Sequence, residues 1–244
     1  MIPVVILAGG LGTRLRSVVA DRPKVLAPVA GQPFLGHLLR RLAAEGVHDV
    51  VLSTGYLGEQ IAAFVETHAP EDVRVRCVQE TTPLGTGGAL AHAARHAGLD
   101  TPFVAMNGDT FFGGAVITLV EAHRNAPGAE ATLALARVTH ADRYGRVLFA
   151  ASPDDPVRVT GFAEKDTAGT GEKPVWINAG VYVLAPSVLG SIPPNEKVSL
   201  ERVVFPELVA RGTLWARRFP DAPFLDIGTP EDYARAAEAI GHGG

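Results

Sequence analysis

The residues best suited to chemistry lie near the start of the chain, where glycines and cations follow the apolar run 3–7. They are Gly9, Gly10, Gly12, Arg14, Arg16 and Lys24. Because glycine has no Cβ, main-chain N–H groups can approach phosphate oxygens closely there, and the arginines and lysine add full positive charges. Ligands of open α/β sheets bind outside the carboxyl ends of the strands. We therefore interpret this cluster as a binding site for the phosphates of a nucleoside triphosphate.

Two better-known phosphate motifs do not fit this cluster. A Walker A loop ends in Gly-Lys-Ser/Thr, whereas this chain has Gly12-Thr13-Arg14. A dinucleotide fingerprint requires a third glycine where Leu15 stands and an acidic residue at the end of the second strand, where the run 50–54 has none. Both classes of phosphate site are therefore excluded.

The glycine and cation cluster resembles the signature of the sugar-1-phosphate nucleotidylyltransferases, which is Gly-Gly-x-Gly-Thr-Arg-Leu followed by Pro-Lys, an apolar run and Pro. Here the signature occupies 9–15 and 23–28. Arg16-Ser17-Val18-Val19 with Asp21 is more similar to the heptose-1-phosphate branch than to the glucose-1-phosphate branch, which commonly has Arg-Pro-Leu-Thr there. The resemblance implies an enzyme that joins a nucleoside triphosphate to a sugar 1-phosphate, releases pyrophosphate and uses Mg²⁺.

Composition limits the partners. A chain of 244 residues, 47% of them hydrophobic and 20% charged, is long enough for one well-buried domain. A net charge of -4 argues against nucleic acid or an anionic membrane as a partner. The single cysteine, Cys77, the lack of a signal peptide at the start and the absence of a long apolar run indicate a cytoplasmic location. The expected partners are small-molecule substrates, and the oligomeric state stays open, a homo-oligomer included.

Hydrophobic periodicity predicts the elements that position the cluster. Strands alternate with helices in the first half, which is typical of a parallel sheet, and short strands follow from Ala131. Together with the resemblance, this pattern predicts a Rossmann-like three-layer α/β/α core with a mostly parallel mixed sheet and a smaller sugar-binding β lobe. We expect a single domain of three parts, namely a nucleotide-binding core at 1–130, the sugar-binding lobe at 131–199 and a terminal section at 200–244 that completes the core. The predicted strands are 3–7, 49–54, 73–79, 103–106, 131–138, 145–149, 157–163, 177–184 and 213–219, and the predicted helices are 34–45, 57–66, 87–97, 114–125, 200–211 and 230–240.

Two aspartates follow predicted strands and are candidate Mg²⁺ ligands. Asp109 follows the strand 103–106, and Asp226 lies in the run 224–229. Mg²⁺ prefers one or two carboxylates together with substrate phosphates, and in the family aspartates at these positions hold the metal. The alternative for Asp109 is a turn residue or an N-cap of the helix near Gly114. Asp226 has the weaker claim because Thr229 already provides a helix start.

A second glycine-rich segment, 79–89, follows the third strand and opens a helix. Its glycines would admit a flat base close to the backbone, and Gln79 has both a donor and an acceptor with which to read a base edge. The family uses this segment for the nucleobase. The alternative is a close contact between a helix and a strand that requires small residues.

The smaller lobe contains the candidates for the sugar phosphate. Glu164 can accept hydrogen bonds from sugar hydroxyls, Lys165 can neutralise the phosphate, and Asn178 can bond a vicinal diol. Their family counterparts act in these roles, and the resemblance adds the backbone of Gly145 near the sugar ring. The alternative without a function is that Glu164 and Lys165 form a solvent-exposed charge pair at a strand end.

The resemblance also assigns roles around the triphosphate. Arg14, Lys24 and Asp109 are the expected catalytic residues, because charge stabilisation and in-line positioning dominate this type of transfer. The expected nucleotide-binding residues are Leu7, Ala8, Gly9, Gly10, Gly12, Thr13, Arg14, Lys24, Gln79, Gly85, Thr86, Asn107 and Gly108.

GTP and D-glycero-D-manno-heptose 1-phosphate are the substrates favoured by the resemblance. A hexose 1-phosphate, mannose or glucose, and the other nucleoside triphosphates stay open. An alternative of another class is a regulatory module that binds sugar nucleotides without catalysis. Such modules usually lose the arginine, the Pro-Lys pair or the aspartates, all of which this chain retains.

Overall fold

The computed structural model describes residues 2–10, 15, 19, 21–139, 145–163 and 174–241, with the backbone alone from 237 onward. The strands are β1 (Val4–Leu7), β2 (Pro28–Val29), β3 (Gln32–Pro33), β4 (Asp49–Thr54), β5 (Arg74–Gln79), β6 (Phe103–Asn107), β7 (Thr110–Phe112), β8 (Ala131–Val138), β9 (Arg146–Phe149), β10 (Val157–Ala163), β11 (Val175–Leu184), β12 (Leu214–Phe219) and β13 (Phe224–Asp226). The α-helices are α1 (Phe34–Ala44), α2 (Gly58–His68), α3 (Gly85–His96), α4 (Val116–Asn125), α5 (Ser187–Gly190), α6 (Phe205–Arg211) and α7 (Pro230–Gly241). A 3₁₀ turn covers Lys24–Leu26, and a π-helical turn covers Leu200–Val204.

Within the described residues, one nine-stranded mixed sheet has the order β5-β4-β1-β6-β11-β8-β12-β10-β9. The first four strands in that order are parallel, and β11 then pairs antiparallel with both β6 and β8. Two small antiparallel pairs, β7 with β13 and β2 with β3, lie outside this sheet. The predicted mixed α/β sheet is confirmed.

Apolar cores lie on both faces of the sheet. Along β1, Val4 and Ile6 pack into one core while Val5 packs into the other, and all three side chains are fully buried. The first core takes its helical residues mainly from α1, α2 and α4, and the second from α3, α5 and α6. This explains why β1 is apolar throughout, since strands buried on both faces lose the alternation of polar and apolar residues. The three-layer α/β/α arrangement is confirmed.

The predicted helix ends were accurate where glycine ends a helix. Gly46 follows α1 with φ of 76°, and Gly98 follows α3 with φ of 69°, a left-handed conformation that glycine adopts without strain. The helix predicted at 200–211 is divided into the π-helical turn Leu200–Val204 and α6. None of the described helices is long and apolar enough to cross a bilayer.

Candidate nucleotide and metal site

A cavity of about 300 Å³ opens at the carboxyl ends of the parallel strands. Most of its walls come from the ends of β1 and β6 and from the loop that joins β5 to α3. Its lining residues are Leu7, Ala8, Gly9, Gly10, Lys24, Val25, Glu80, Pro83, Gly85, Thr86, Ala89, Asn107, Asp109 and Lys197. The topology thus brings eight of the residues expected to bind nucleotide, together with Asp109, into one concave site.

The glycines that follow β1 differ in what surrounds them. A Cβ on Gly9 would lie 3.0 Å from Oε1 of Glu80 and 3.2 Å from the backbone nitrogen of Gly55, so glycine allows the ends of β1 and β4 to approach each other. A Cβ on Gly10 would meet no described atom within 4 Å. Among the described residues, nothing therefore crowds Gly10 in the cavity wall, which would allow a ligand to approach its backbone.

Several expected site residues lie outside the described residues. They are Gly12, Thr13 and Arg14 of the phosphate segment and Glu164 and Lys165 of the sugar lobe. Their roles remain predictions from the resemblance.

Lys24 and Asp109 form an ion pair at the cavity wall. The ammonium of Lys24 donates a hydrogen bond of 2.7 Å to Oδ2 of Asp109. The side chain of Lys24 is 14% exposed and that of Asp109 is 38% exposed, so the pair faces the cavity while it is partly shielded from bulk water. Partial shielding from water strengthens the electrostatic interactions of both side chains, including the attraction between Lys24 and an anionic ligand.

Asp226 reaches the same place through the small sheet. In the pairing of β13 with β7, Asp226 lies opposite Thr110, and the backbone N–H of Ile227 donates to the carbonyl oxygen of Asp109 at 2.9 Å. Oδ1 of Asp226 accepts a hydrogen bond of 2.7 Å from the N–H of Gly228. Two carboxylates and one ammonium therefore belong to one constellation.

Burial raises the pKa of the Asp226 carboxyl above its ordinary value, and the negative charge of Asp109 raises it further, whereas Lys24 opposes the rise. A divalent cation would offset this repulsion between carboxylates. No group of three or more His, Cys, Asp or Glu side chains suited to a metal occurs among the described residues. Two carboxylates nevertheless suffice for a Mg²⁺ ion whose remaining ligands are phosphate oxygens and water.

The helix-cap alternatives for the two aspartates are taken by other residues. Helix α4 begins at Val116, whose N–H donates to Oε2 of Glu45, so Asp109 does not cap it. Thr229 accepts a hydrogen bond from the N–H of Asp232 at the start of α7, as expected for a helix cap. Neither helix therefore requires a cap from Asp109 or Asp226.

The residue beside Gln79 is the one that faces the cavity. The side-chain amide of Gln79 donates to the carbonyl oxygen of Gly55 at 3.3 Å, and Gln79 does not line the cavity. Glu80 does line it, and its Oε2 accepts a hydrogen bond of 3.0 Å from the N–H of Leu84. Burial raises the pKa of Glu80. The sequence interpretation singled out the Gln79 amide and missed the Glu80 carboxylate, because two adjacent residues at the end of β5 carry no pattern that shows which side chain faces the cavity.

The glycines of the second glycine-rich segment lie against another part of the chain. A Cβ on Gly85, whose φ is 70°, would lie 2.6 Å from the carbonyl oxygen of Val198, and one on Gly88 would lie 2.4 Å from that of Glu196. These glycines thus admit a neighbouring segment of the protein, and the binding of a nucleobase by segment 79–89 stays a prediction. Gly85 and Thr86 still line the cavity.

Asn178 lies on β11, the strand next to β6. Its Oδ1 accepts a hydrogen bond from the N–H of Gly180 at 2.9 Å, and its Nδ2 donates to the hydroxyl of the buried Tyr182 at 3.0 Å. A Cβ on Gly180 would lie 2.8 Å from Nδ2 of Asn107, so β11 packs closely against the cavity wall. Asn178 and Gly145 are not among the residues that line the cavity.

The chain belongs to the nucleotidyl transferase family, whose model matches residues 3–243. It is 38% identical over 244 residues to the mannose-1-phosphate guanylyltransferase of Mycobacterium tuberculosis, with 99% of this chain and 65% of that protein covered. It is 35% identical to the D-glycero-alpha-D-manno-heptose 1-phosphate guanylyltransferase of Aneurinibacillus thermoaerophilus, with 98% of each chain covered.

Among solved structures, HddC from Yersinia pseudotuberculosis complexed with GMP-PN is similar to this chain, with a TM-score of 0.82 and 33% identity. The alignment covers 98% of this chain and 100% of that one. These similarities agree with the Rossmann-like fold described above. The chain spans 65% of the length of the M. tuberculosis relative.

Proposed function

We propose that this chain transfers a guanylyl group from GTP to a sugar 1-phosphate, so that GDP-sugar and pyrophosphate are formed. The constellation of Lys24, Asp109 and Asp226 beside the glycine segment is the observation that supports this most strongly. It combines a cation and two carboxylates at the carboxyl edge of a parallel sheet, where a Mg²⁺-bound triphosphate fits.

The reaction follows from these charges. An oxygen of the sugar phosphate attacks the α-phosphorus of GTP, and the bond to the β,γ-pyrophosphate breaks. Lys24 would bind the departing pyrophosphate, and Asp109 with Asp226 would hold Mg²⁺, which when bound neutralises phosphate charge. We also propose that Arg14 binds the triphosphate and that Lys165 binds the attacking sugar phosphate, as the family signature implies. The nucleophile is already anionic, so the protein mainly positions the reactants.

Guanine is the proposed base because of Glu80. A carboxylate only accepts hydrogen bonds, and guanine presents two neighbouring donors, the N1–H and the 2-amino group. Glu80 faces the cavity with Oε2 held by the N–H of Leu84. Adenine has no N1–H, so the same carboxylate would face an acceptor instead. The guanylyltransferase names of the relatives and the GMP-PN bound to HddC support the same choice.

The proposed sugar has the manno configuration, which is shared by the substrates in the names of both relatives. We place D-glycero-D-manno-heptose 1-phosphate first, on the similarity of 16–19 and Asp21 to the heptose branch and on the relative from A. thermoaerophilus. A site built to bond the side-arm hydroxyl of a heptose discriminates against sugars that lack it. We further propose that the reaction takes place in the cytoplasm.

A panel of four nucleoside triphosphates crossed with three sugar 1-phosphates tests this proposal through pyrophosphate release. GTP is expected to be the preferred nucleotide, and heptose 1-phosphate is expected to exceed mannose and glucose 1-phosphates by at least about tenfold in kcat/KM. Equal use of a hexose 1-phosphate would refute the heptose assignment and leave the guanylyl transfer intact. Tight binding of GDP-sugars without turnover of any pair would instead favour the regulatory module.

A further inference from the structure

Segment 196–200 is fastened to the loop that opens α3. The N–H of Val198 donates to the carbonyl oxygen of Leu84 at 2.9 Å, and the carbonyl oxygen of Val198 accepts from the N–H of Gly87 at 2.9 Å. The N–H of Leu200 donates to Oγ1 of Thr86 at 2.9 Å, and that hydroxyl in turn donates to Glu201 at 2.8 Å. These bonds fix the segment against the cavity although it is distant in sequence.

The attachment brings Lys197 into the cavity wall. A Cβ on Gly85 would lie 3.5 Å from Cγ of Lys197, so the stem of the lysine passes over that glycine. In the part of the chain that the structure describes, no hydrogen bond or ion pair occupies its ammonium. By contrast, Lys24, the other lysine of the cavity wall, is already bonded to Asp109. Lys197 therefore offers a positive charge and three donors to a ligand.

Leu84 connects the segment that contains Lys197 to Glu80. Its N–H bonds Glu80, and its carbonyl oxygen bonds Val198, the neighbour of Lys197. Lys197 is thus attached to the same loop as the carboxylate proposed to read guanine. Lys24 and Asp109, which mark the phosphate end, come instead from the 3₁₀ turn and from the end of β6.

Guanine has two acceptors, O6 and N7, beside the donor N1–H. We propose that Lys197 is a specificity-determining residue for the nucleobase, donating to O6 of this edge while Glu80 accepts from N1–H and the 2-amino group. Adenine shares N7 but has a 6-amino donor in place of O6, so at that position the lysine ammonium meets a donor instead of an acceptor. This inference rests on the proposed function only for the identity of the base, and binding measurements test it without turnover.

The test compares Lys197→Met with the wild type by calorimetric binding of guanosine, inosine, adenosine and GTP. Methionine keeps a similar length and removes the charge. The variant is expected to lose about tenfold in affinity for guanosine, inosine and GTP alike, the scale of one charge-assisted hydrogen bond, with little change for adenosine. Inosine retains O6 and N7, so its loss should match that of guanosine.

Arg202→Gln is the matched control. Arg202 is an exposed cation that lies shortly after segment 196–200 in the chain, and it does not line the cavity. It should leave all four affinities unchanged. A loss confined to GTP would place Lys197 on the phosphates and overturn the proposal, as would unchanged binding of guanosine. Failure of the proposed function would show differently, as wild-type protein that binds guanosine but forms no GDP-sugar.

Discussion

Lys24 and Asp109 are separated by 85 positions in the sequence, yet the ammonium of one donates a hydrogen bond of 2.7 Å to the carboxylate of the other. Each residue keeps the other oriented toward the cavity before any ligand arrives. This preorganisation matters because a charge that is already in place needs no rearrangement when negative charge develops on a leaving pyrophosphate.

The first prediction concerns Lys24. Lys24→Ala should lower kcat/KM for GTP by roughly 10², comparable to the loss of one preorganised donor in other enzymes. Steady-state pyrophosphate release measures the change. Arg22→Gln is a suitable control, since Arg22 is exposed and pairs only with its neighbour Asp21 in the described residues. An unchanged rate in folded Lys24→Ala would remove this lysine from the mechanism.

The second prediction concerns the two carboxylates. Asp109→Asn and Asp226→Asn should each abolish most turnover, because an amide binds Mg²⁺ much more weakly than a carboxylate. Asp226→Asn should also leave the melting temperature unchanged or higher, since it removes a buried charge that Asp109 repels. Differential scanning fluorimetry checks this part.

Asp221→Asn serves as the control for both variants. Asp221 is exposed and does not line the cavity, so the substitution removes one carboxylate without changing the site. Turnover of the wild type that persists in excess EDTA would contradict the metal assignment.

A third prediction separates two adjacent side chains. Glu80→Gln should reduce the preference for GTP over ATP by about tenfold or more, because the amide can present a donor to guanine N1–H. Gln79→Ala should change this preference little, since the Gln79 amide is bonded to Gly55. The ratio of the two kcat/KM values is the measurement, and the reverse ranking of the variants would show that Gln79 reads the base.

The pH dependence of GTP binding should also involve Glu80. Burial raises the pKa of Glu80, and only the ionised carboxylate accepts from both guanine donors. Affinity should therefore fall as the pH is lowered through this raised pKa, at a higher pH than for an ordinary glutamate. Glu80→Gln should remove that part of the pH profile, and a profile unchanged by the substitution would contradict the role.

His123 provides a prediction about stability. It is buried and hydrogen-bonded to Thr132 at 2.9 Å, and burial lowers its pKa below the ordinary value of 6.5. The unfolded chain therefore takes up a proton at a pH where the folded chain does not, and the free energy of unfolding should decline as the pH falls below about 6.5. In His123→Gln this decline should be smaller. His68→Gln, at an exposed position, should retain the wild-type decline.

The parts of the fold with strong periodicity were predictable from sequence. The buried strand β1 and the amphipathic helix α1 carry patterns that depend only on neighbouring residues. The strands β7 and β13 are too short to show a period, and they form because two distant segments pair. Their pairing is what joins Asp226 to Asp109.

The site residues that belong to a sequence motif were predictable, and those placed by tertiary packing were not. Lys24 and Asp109 were found through their motifs. The choice between Gln79 and Glu80 depends on which side of β5 faces the cavity, and the sequence alone does not show that. Lys197 reaches the cavity only through tertiary hydrogen bonds between its segment and Leu84. No local pattern marks such a residue as part of a nucleotide site.

The most direct test of guanylyl transfer is mass-spectrometric detection of the products formed from GTP and D-glycero-D-manno-heptose 1-phosphate with Mg²⁺. GDP-heptose and pyrophosphate are expected in equal amounts with the wild-type protein, and almost none of either with Asp109→Asn. Release of pyrophosphate without a GDP-sugar, or equal product from the Asp109→Asn protein, would contradict the proposed function.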